Sequence, residues 1–267
     1  MAGRDSVPSI SDASMPNSGR IYDYVLGGNH NFEVDRKAGD QVLAVVPDFR
    51  QFARLIRWFI SVAVEKVTAD GYTRFVDFAS GLPTVDHIHL VAPKGSKVIY
   101  SDIDPVTVSY GREIIKDQPN ARYFPCDFAT PENLLGLPMV LEHLGGSRKV
   151  VFGVNGIAWL VTDDQLRHAM RVLYDWAEKG SRLFICDADT DMSNLTHKVQ
   201  ESLKIYEDMG QPFYIRSNTA LREMIHPWKV RDPGFRTLED WSEVKADISE
   251  RTQSELGLRF LGAILEK

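Results

Sequence analysis

Asp77, Asp102, Asp127, Asn155 and Asp187 recur along the 267-residue chain at steps of 25, 25, 28 and 32 residues. Side-chain oxygens so spaced can accept hydrogen bonds from the hydroxyls and amines of one ligand, if the fold returns each to a common edge. The first of them opens the turn Asp77-Phe78-Ala79-Ser80-Gly81-Leu82-Pro83-Thr84. A dinucleotide pocket wants Gly-x-Gly-x-x-Gly there, so that amides at a helix N-terminus can meet a pyrophosphate. Only one of those three glycines is present, and Pro83 removes an amide donor where a phosphate needs one. A nucleoside ligand without phosphates loses little by either change. Asp102 lies 21 residues beyond Gly81, where a strand-end carboxylate can accept both hydroxyls of a ribose. That spacing alone suits NAD equally, and it is the glycine pattern that argues against a nicotinamide oxidoreductase.

Other constellations carry less. Tyr22-Asp23-Tyr24 followed by Gly27-Gly28-Asn29-His30-Asn31 joins a tight chain reversal to several donors and acceptors. Two readings fit it: a lid that folds over a pocket and excludes water, or a structural cap docked by Tyr22, Leu26 and Phe32. His87 and His89 at i, i+2 have no evident third ligand, so helix-surface histidines are expected and no metal site. Asp163-Asp164 after Thr162 reads as the acidic first turn of a helix capped by Thr162. Asp187, Asp189 and Asp191 lack the glycine and terminal glutamate of a calcium loop and read as a turn. Cys126 and Cys186 follow apolar runs and are expected to be buried free thiols in a reducing compartment.

The elements that must position these groups follow a βα rhythm. Strand-like runs at 74–79, 97–101, 121–125, 149–154 and 182–186 alternate with helical patterns at 105–117, 131–144, 163–179 and 191–208. Each strand ends at one of the five polar residues, so a doubly wound, mostly parallel sheet places them together at its carboxyl edge. Leu258–Leu265 reads as an antiparallel last strand of the sheet, which is expected to be a seven-stranded α/β sheet; Arg259 falls there without a role. Asp48 can cap a long helix with apolar residues at 52, 55, 56, 59, 60, 63 and 67, ended by Gly71. The expected organisation is a flexible leader over 1–18, an N-terminal lid and helix over 19–70 forming a helical cap, and the sheet domain over 71–267. An insertion at about 190–228 holds Met192, Tyr206, Met209, Phe213, Tyr214, Met224 and Trp228. These suit the wall of a pocket for a flat organic ligand, and at helical spacing they suit a core equally.

Composition is ordinary for a globular chain, with 43% apolar and 25% charged residues and a net charge of −6. No dense Lys/Arg run is present, which disfavours nucleic acid as a partner. No apolar stretch is long enough for a membrane helix and the N-terminus lacks a signal-peptide pattern, so a cytoplasmic location is expected. Assembly is left open, a homodimer included.

Arg20 to Asp35, Phe75 to Thr84 and Val98 to Pro105 resemble the N-terminal signature and first two nucleotide motifs of a family of S-adenosylmethionine (SAM)-dependent methyltransferases. That family is abundant in actinobacteria and was long described as a domain of unknown function. The resemblance implies a class I, Rossmann-like fold that binds SAM at the carboxyl edge of strands one to four. It further implies that Asp77, Ala79 and Gly81, with Phe78 and Ser80 between them, line the methionine portion of SAM. By the same resemblance Asp102 holds the ribose, Ile103 packs on the adenine, Asp127 and Phe128 meet its amino group and ring, and Asn155 lies near the transferred methyl. As a lid, the N-terminal segment brings Tyr22 and Asn31 to the cofactor. The family usually has Gly at the place of Ala79 and Thr at that of Ser80; if a positive φ is needed there, Ala79 costs about 1 kcal/mol. The implied activity is methyl transfer to O, N or C of a small-molecule substrate, and the alternative is a SAM-binding regulatory or scaffold protein without turnover. Such transfer asks mainly for alignment and desolvation. Where a base is needed, His30 is the candidate by position and Tyr24 the next.

Overall fold

Short runs of β-branched and aromatic residues form the strands β1 (Arg74–Phe78), β2 (Lys97–Asp102), β3 (Ala121–Pro125), β4 (Val151–Asn155) and β5 (Arg182–Asp189), all parallel to one another. The computed structural model describes residues 14–84, 86–190, 194–243 and 257–267. Two-residue strands β6 (Lys229–Val230) and β7 (Arg236–Thr237) precede the last strand, β8 (Arg259–Glu266), which runs antiparallel to β5. The order is β3-β2-β1-β4-β5-β8-β6, with β7 also paired to β8. The expected seven-stranded sheet thus has eight strands. β6 meets Glu266 and Leu265 while β7 meets Gly262 and Leu261, so the two are a seventh position broken in the middle.

Side chains alternate across the sheet with period two. Val76, Ile99, Phe152 and Ile185 enter one core layer, while Phe75, Val98, Val151 and Phe184 enter the other. The first layer is covered by α6 (Glu132–Leu135), α7 (Pro138–His143), α8 (Asp163–Trp176) and α10 (Asn218–Met224). The second is covered mainly by α3 (Phe49–Ala69), with α5 (Pro105–Ile114) and α11 (Leu238–Ser242) beside it. Every apolar position expected on α3 is buried, from Phe52 to Val67, and Gly71 ends the helix at φ 88°. Asp48 precedes it, yet its side chain makes no cap bond. The helix expected over 131–144 breaks because Pro138 follows Leu137, which is held extended at ψ 123°. Thr162 and Gln165 form the expected capping box of α8.

The N-terminal part is more regular than a loop. α1 (Ser18–Val25) and α2 (Glu33–Val45) pack with α9 (His197–Asp208) through Ile21, Val25, Val42 and Tyr206. Of the leader expected over 1–18, residues 1–13 lie outside the described residues. Its end belongs to the fold: Asn17 Oδ1 caps α1 by accepting from Gly19 N and Arg20 N, and Asn17 N donates to Asp35. Among the described residues no helix is long and apolar enough to cross a membrane.

Candidate functional site

The turn after β1 is held by hydrogen bonds from β2. Ser80 N donates to Ser101 O, Ser80 Oγ and Ser101 Oγ both donate to Asp77 O, and Gly81 N donates to Asp102 Oδ2 at 3.0 Å. Tyr123 on β3 closes the far side by donating to Gly81 O. Ala79 sits at φ 49° and Gly81 at φ 60°, so the turn needs the left-handed region twice. A Cβ at Gly81 would have open space around it, so glycine serves the backbone there. Asp102 also accepts from Asp104 N at 3.0 Å, which fixes the carboxylate at the end of β2. Burial pushes Asp77 up to about 7 and Asp102 up to about 6, the latter against the amides of Asp104 and Gly81.

α1 and this turn line one cavity. Arg20 is buried and donates Nε to Asp35 and NH1 to Asp104, each at 2.9 Å, and NH2 to Met15 O. Asp104 in turn caps α5 by accepting from Thr107 N and Oγ1. One guanidinium therefore joins α1 and α2 to the loop that carries Asp102 and Ile103. The Gly27-Gly28 reversal closes on Asp23, which accepts from His30 N and Asn31 Nδ2. Gly28 has a reason to lack a side chain: its Cβ would stand 2.1 Å from Asp23 Oδ1.

A cavity opens between this turn, α1, α3 and α9. Tyr22, Asp77, Phe78, Ala79, Ser80, Gly81, Asp102, Ile103 and Asn155 all line it. Ile103 is 63% exposed, an apolar platform next to the Asp102 carboxylate. Asn155 donates Nδ2 to Ile56 O, and its buried Oδ1 has no hydrogen-bond partner among the described residues. Strand-end carboxylates, an apolar platform and an unused carboxamide oxygen suit a ligand with ribose hydroxyls, an aromatic base and an amine. The wall also contains Asp23, named in the sequence only as part of the N-terminal motif, and Arg57, which no sequence motif contained. The wall also carries apolar side chains, among them Val46, Phe52, Ile56, Leu203, Tyr206 and Phe260.

Several expected residues stand elsewhere. Asn31 is outside the cavity wall and supports Asp23 instead. Asp127 is exposed and accepts from Ala129 N, while Phe128 is buried against Phe78 at 5.5 Å. Tyr24 donates its hydroxyl to Asp40 at the surface, and His30 meets the Tyr110 ring edge-on at 5.0 Å; neither lines the cavity. His87, expected on a helix surface, is fully buried at the start of α4 (Ile88–Val91), where its Nε2 contacts Arg57. Burial and the Arg57 charge hold this imidazole well below its ordinary pKa, so it is neutral. His89 is half-buried against Tyr100. Of the insertion residues, Tyr206 and Phe213 reach the cavity, whereas Met224 and Trp228 fill the opposite core layer. Met192 and Asp191 lie outside the described residues. Asp189 pairs with Arg259 at 2.9 Å, which gives that arginine a structural role. Cys126 and Cys186 are free and buried. Among the described residues no group of three or more His, Cys, Asp or Glu could hold a metal ion.

A family model described as S-adenosyl methyltransferase matches residues 5–263. Among solved structures, the chain is similar to a candidate methyltransferase from Thermobifida fusca, at 25% identity and a TM-score of 0.83, covering 97% of this chain and 98% of that one. It is also similar to a DUF574 family protein from Streptomyces avermitilis, at 23% identity and a TM-score of 0.80, over 96% and 99%. Magnesium protoporphyrin IX methyltransferase from Synechocystis, solved with bound SAH, shares the fold at 14% identity and a TM-score of 0.52, over 92% and 93%. A search of curated proteins found no match.

Proposed function

Because the chain belongs to the S-adenosyl methyltransferase family and is a SAM-dependent enzyme, we propose that its methyl acceptor is a small, largely apolar molecule held beside the cofactor in the cavity described above. The observation that carries this is the continuity of one cavity from the Asp77–Asp102 wall into the apolar chamber of Phe52, Leu203, Tyr206 and Phe260. Apolar walls with few polar groups favour an organic molecule over a polyanion.

In this reading Asp102 accepts the ribose hydroxyls, Ile103 packs on the adenine, and the turn Ala79–Gly81 faces the methionine portion. Bound SAM supplies a methyl group already activated for displacement by its sulfonium. The protein's own work is alignment and exclusion of water. α1, latched by Arg20, borders the cavity, and its Tyr22 is fixed there by donating its hydroxyl to Ala53 O. His30 and Tyr24 have no place in the proposal, since both stand outside the wall. The free buried thiols Cys126 and Cys186 support a reducing, cytoplasmic setting.

The test is incubation of the protein with methyl-labelled SAM and a metabolite extract, followed by mass spectrometry. Label in an apolar small molecule supports the proposal. Label confined to nucleic acid or protein overturns it.

A further inference from the structure

Tyr206 stands on α9 and is 4% exposed, packed with Ile21, Val25, Val42 and Ala53. Its hydroxyl has no hydrogen-bond partner among the described residues, and burial alone pushes the phenol up from its ordinary pKa. The group is therefore neutral and keeps its proton to donate. Buried tyrosine hydroxyls ordinarily find a partner. The other buried tyrosines of the described residues do so, Tyr100 with His89 and Tyr123 with Gly81 O. The Tyr206 oxygen is not sealed by protein atoms, and the space that Tyr206 borders is the cavity. A ligand there can supply the missing partner.

The neighbours of Tyr206 say what kind of ligand that is. Its ring stacks on Phe213 at 4.3 Å between centres. The series continues from Phe213 to Trp159 at 6.4 Å, on to Phe260 at 5.8 Å and to Phe52 at 5.6 Å. All of these rings line the cavity. The segment that carries Phe213 is tied down on both sides, with Gln211 N donating to Tyr206 O and Tyr214 N to Trp159 O. The rings are thus preorganised rather than gathered by a ligand. Asp77 and Asp102 stand towards the carboxyl ends of β1 and β2, whereas Trp159 follows β4 and Phe260 lies on β8. The ring series therefore belongs to the other half of the sheet from the carboxylates assigned to SAM, which is the place for a methyl acceptor.

We propose that the acceptor is a flat aromatic molecule bearing a carbonyl oxygen, packed on these rings and hydrogen-bonded by the Tyr206 hydroxyl. This rests on the reading of the cavity as the shared site of SAM and a small apolar acceptor. A flat ring system gains most from aromatic walls, through buried area and offset or edge-on contacts. An uncharged oxygen suits a neutral phenol in such a wall, where a charged group would lose its water without a counter-charge. The hydroxyl sets specificity, because a molecule lacking the oxygen leaves it unpaired.

Calorimetry of the full chain saturated with S-adenosylhomocysteine tests this with a matched set of probes. 2-Acetylnaphthalene has the flat ring and the oxygen, 2-isopropenylnaphthalene has the same shape without the oxygen, and 2-acetyldecalin has the oxygen without the aromatic ring. Wild type is expected to bind the first about tenfold more tightly than either of the others. Tyr206→Phe keeps the stacked ring and should lose the preference for the aromatic ketone over 2-isopropenylnaphthalene, with the latter bound within about threefold of wild type. That retained binding shows that the variant is folded. A preference absent in wild type, or unchanged in Tyr206→Phe, overturns the hydroxyl contact. A saturated ketone bound as tightly as the aromatic one overturns the aromatic acceptor. Wild type that binds S-adenosylhomocysteine but none of the probes overturns instead the reading of this cavity as an acceptor site, and wild type that fails to bind S-adenosylhomocysteine overturns the placement of SAM in it.

Discussion

Arg20→Met removes the charge that joins α1 and α2 to the loop after β2. Arg20 is 2% exposed, and its partners Asp35 and Asp104 are 0% and 6% exposed. Taking one member from a buried network of this kind costs about 3–5 kcal/mol, because carboxylates are left in low dielectric without a counter-charge. Here the lower end is expected. Asp35 still accepts from Asn17 N and Phe32 N, and Asp104 still accepts from Thr107 N and Oγ1. Urea unfolding followed by circular dichroism should therefore show a loss of about 3 kcal/mol with little change in the denaturant slope. The triple variant Arg20→Met, Asp35→Asn, Asp104→Asn removes all the charges together and should recover most of that loss. A single-variant loss below about 1 kcal/mol would mean that the three groups do not act as a buried ionic network. A triple variant no more stable than Arg20→Met would refute the charge argument and leave packing as the cause.

Ala79→Gly relieves a left-handed alanine at φ 49° and should raise stability by about 0.5–1 kcal/mol, read as a rise of a few degrees in Tm; an unchanged or lower Tm refutes a strained turn. Gly28→Ala drives a Cβ into Asp23 and should cost about 1–3 kcal/mol in urea unfolding, whereas a neutral outcome would show that Asp23 moves aside freely. Asp187 is buried, its Oδ2 has no hydrogen-bond partner among the described residues, and burial raises its pKa to about 7 against the pull of Arg216. The folded chain then holds a proton that the unfolded chain has released above about pH 4, so this group lowers stability as pH rises from about 4 to 7. Asp187→Asn should gain on wild type across that window, by a few kcal/mol at most, and a difference independent of pH would contradict it.

The sheet was legible because each strand is a short apolar run closed by a polar residue, and because α3 repeats its apolar positions at helical spacing. The break between α6 and α7 was missed, because the helical pattern over 131–144 concealed what Pro138 does to it. What escaped were facts of the third dimension. Arg57 stands on a helix among apolar neighbours, where a lone arginine reads as solvent-facing; only the approach of α1 and α4 buries it. The Gly27–Asn31 segment was visible as unusual, yet nothing local shows that Asp23 is the residue on which it closes. His87 was read as a surface residue because its spacing to His89 carries no information about α3. Asp127 and Phe128 follow the strand rhythm, but β3 is the edge strand and its end lies away from the cavity wall.

The two sides of the cavity are far apart in synthesis. Ser18 N donates to Gln211 Oε1, Gln211 returns its amide to Pro16 O, and Phe52 of α3 meets Phe260 of the last strand at 5.6 Å. The first helices to leave a ribosome must wait for partners about 190 residues downstream, roughly 10–40 s at ordinary elongation rates. Throughout that interval the apolar stripes of α1, α2 and α3 have no α9 or β8 to cover them. The cofactor pocket is accordingly among the last parts of the molecule to exist, and a chain cut short before β8 cannot assemble it.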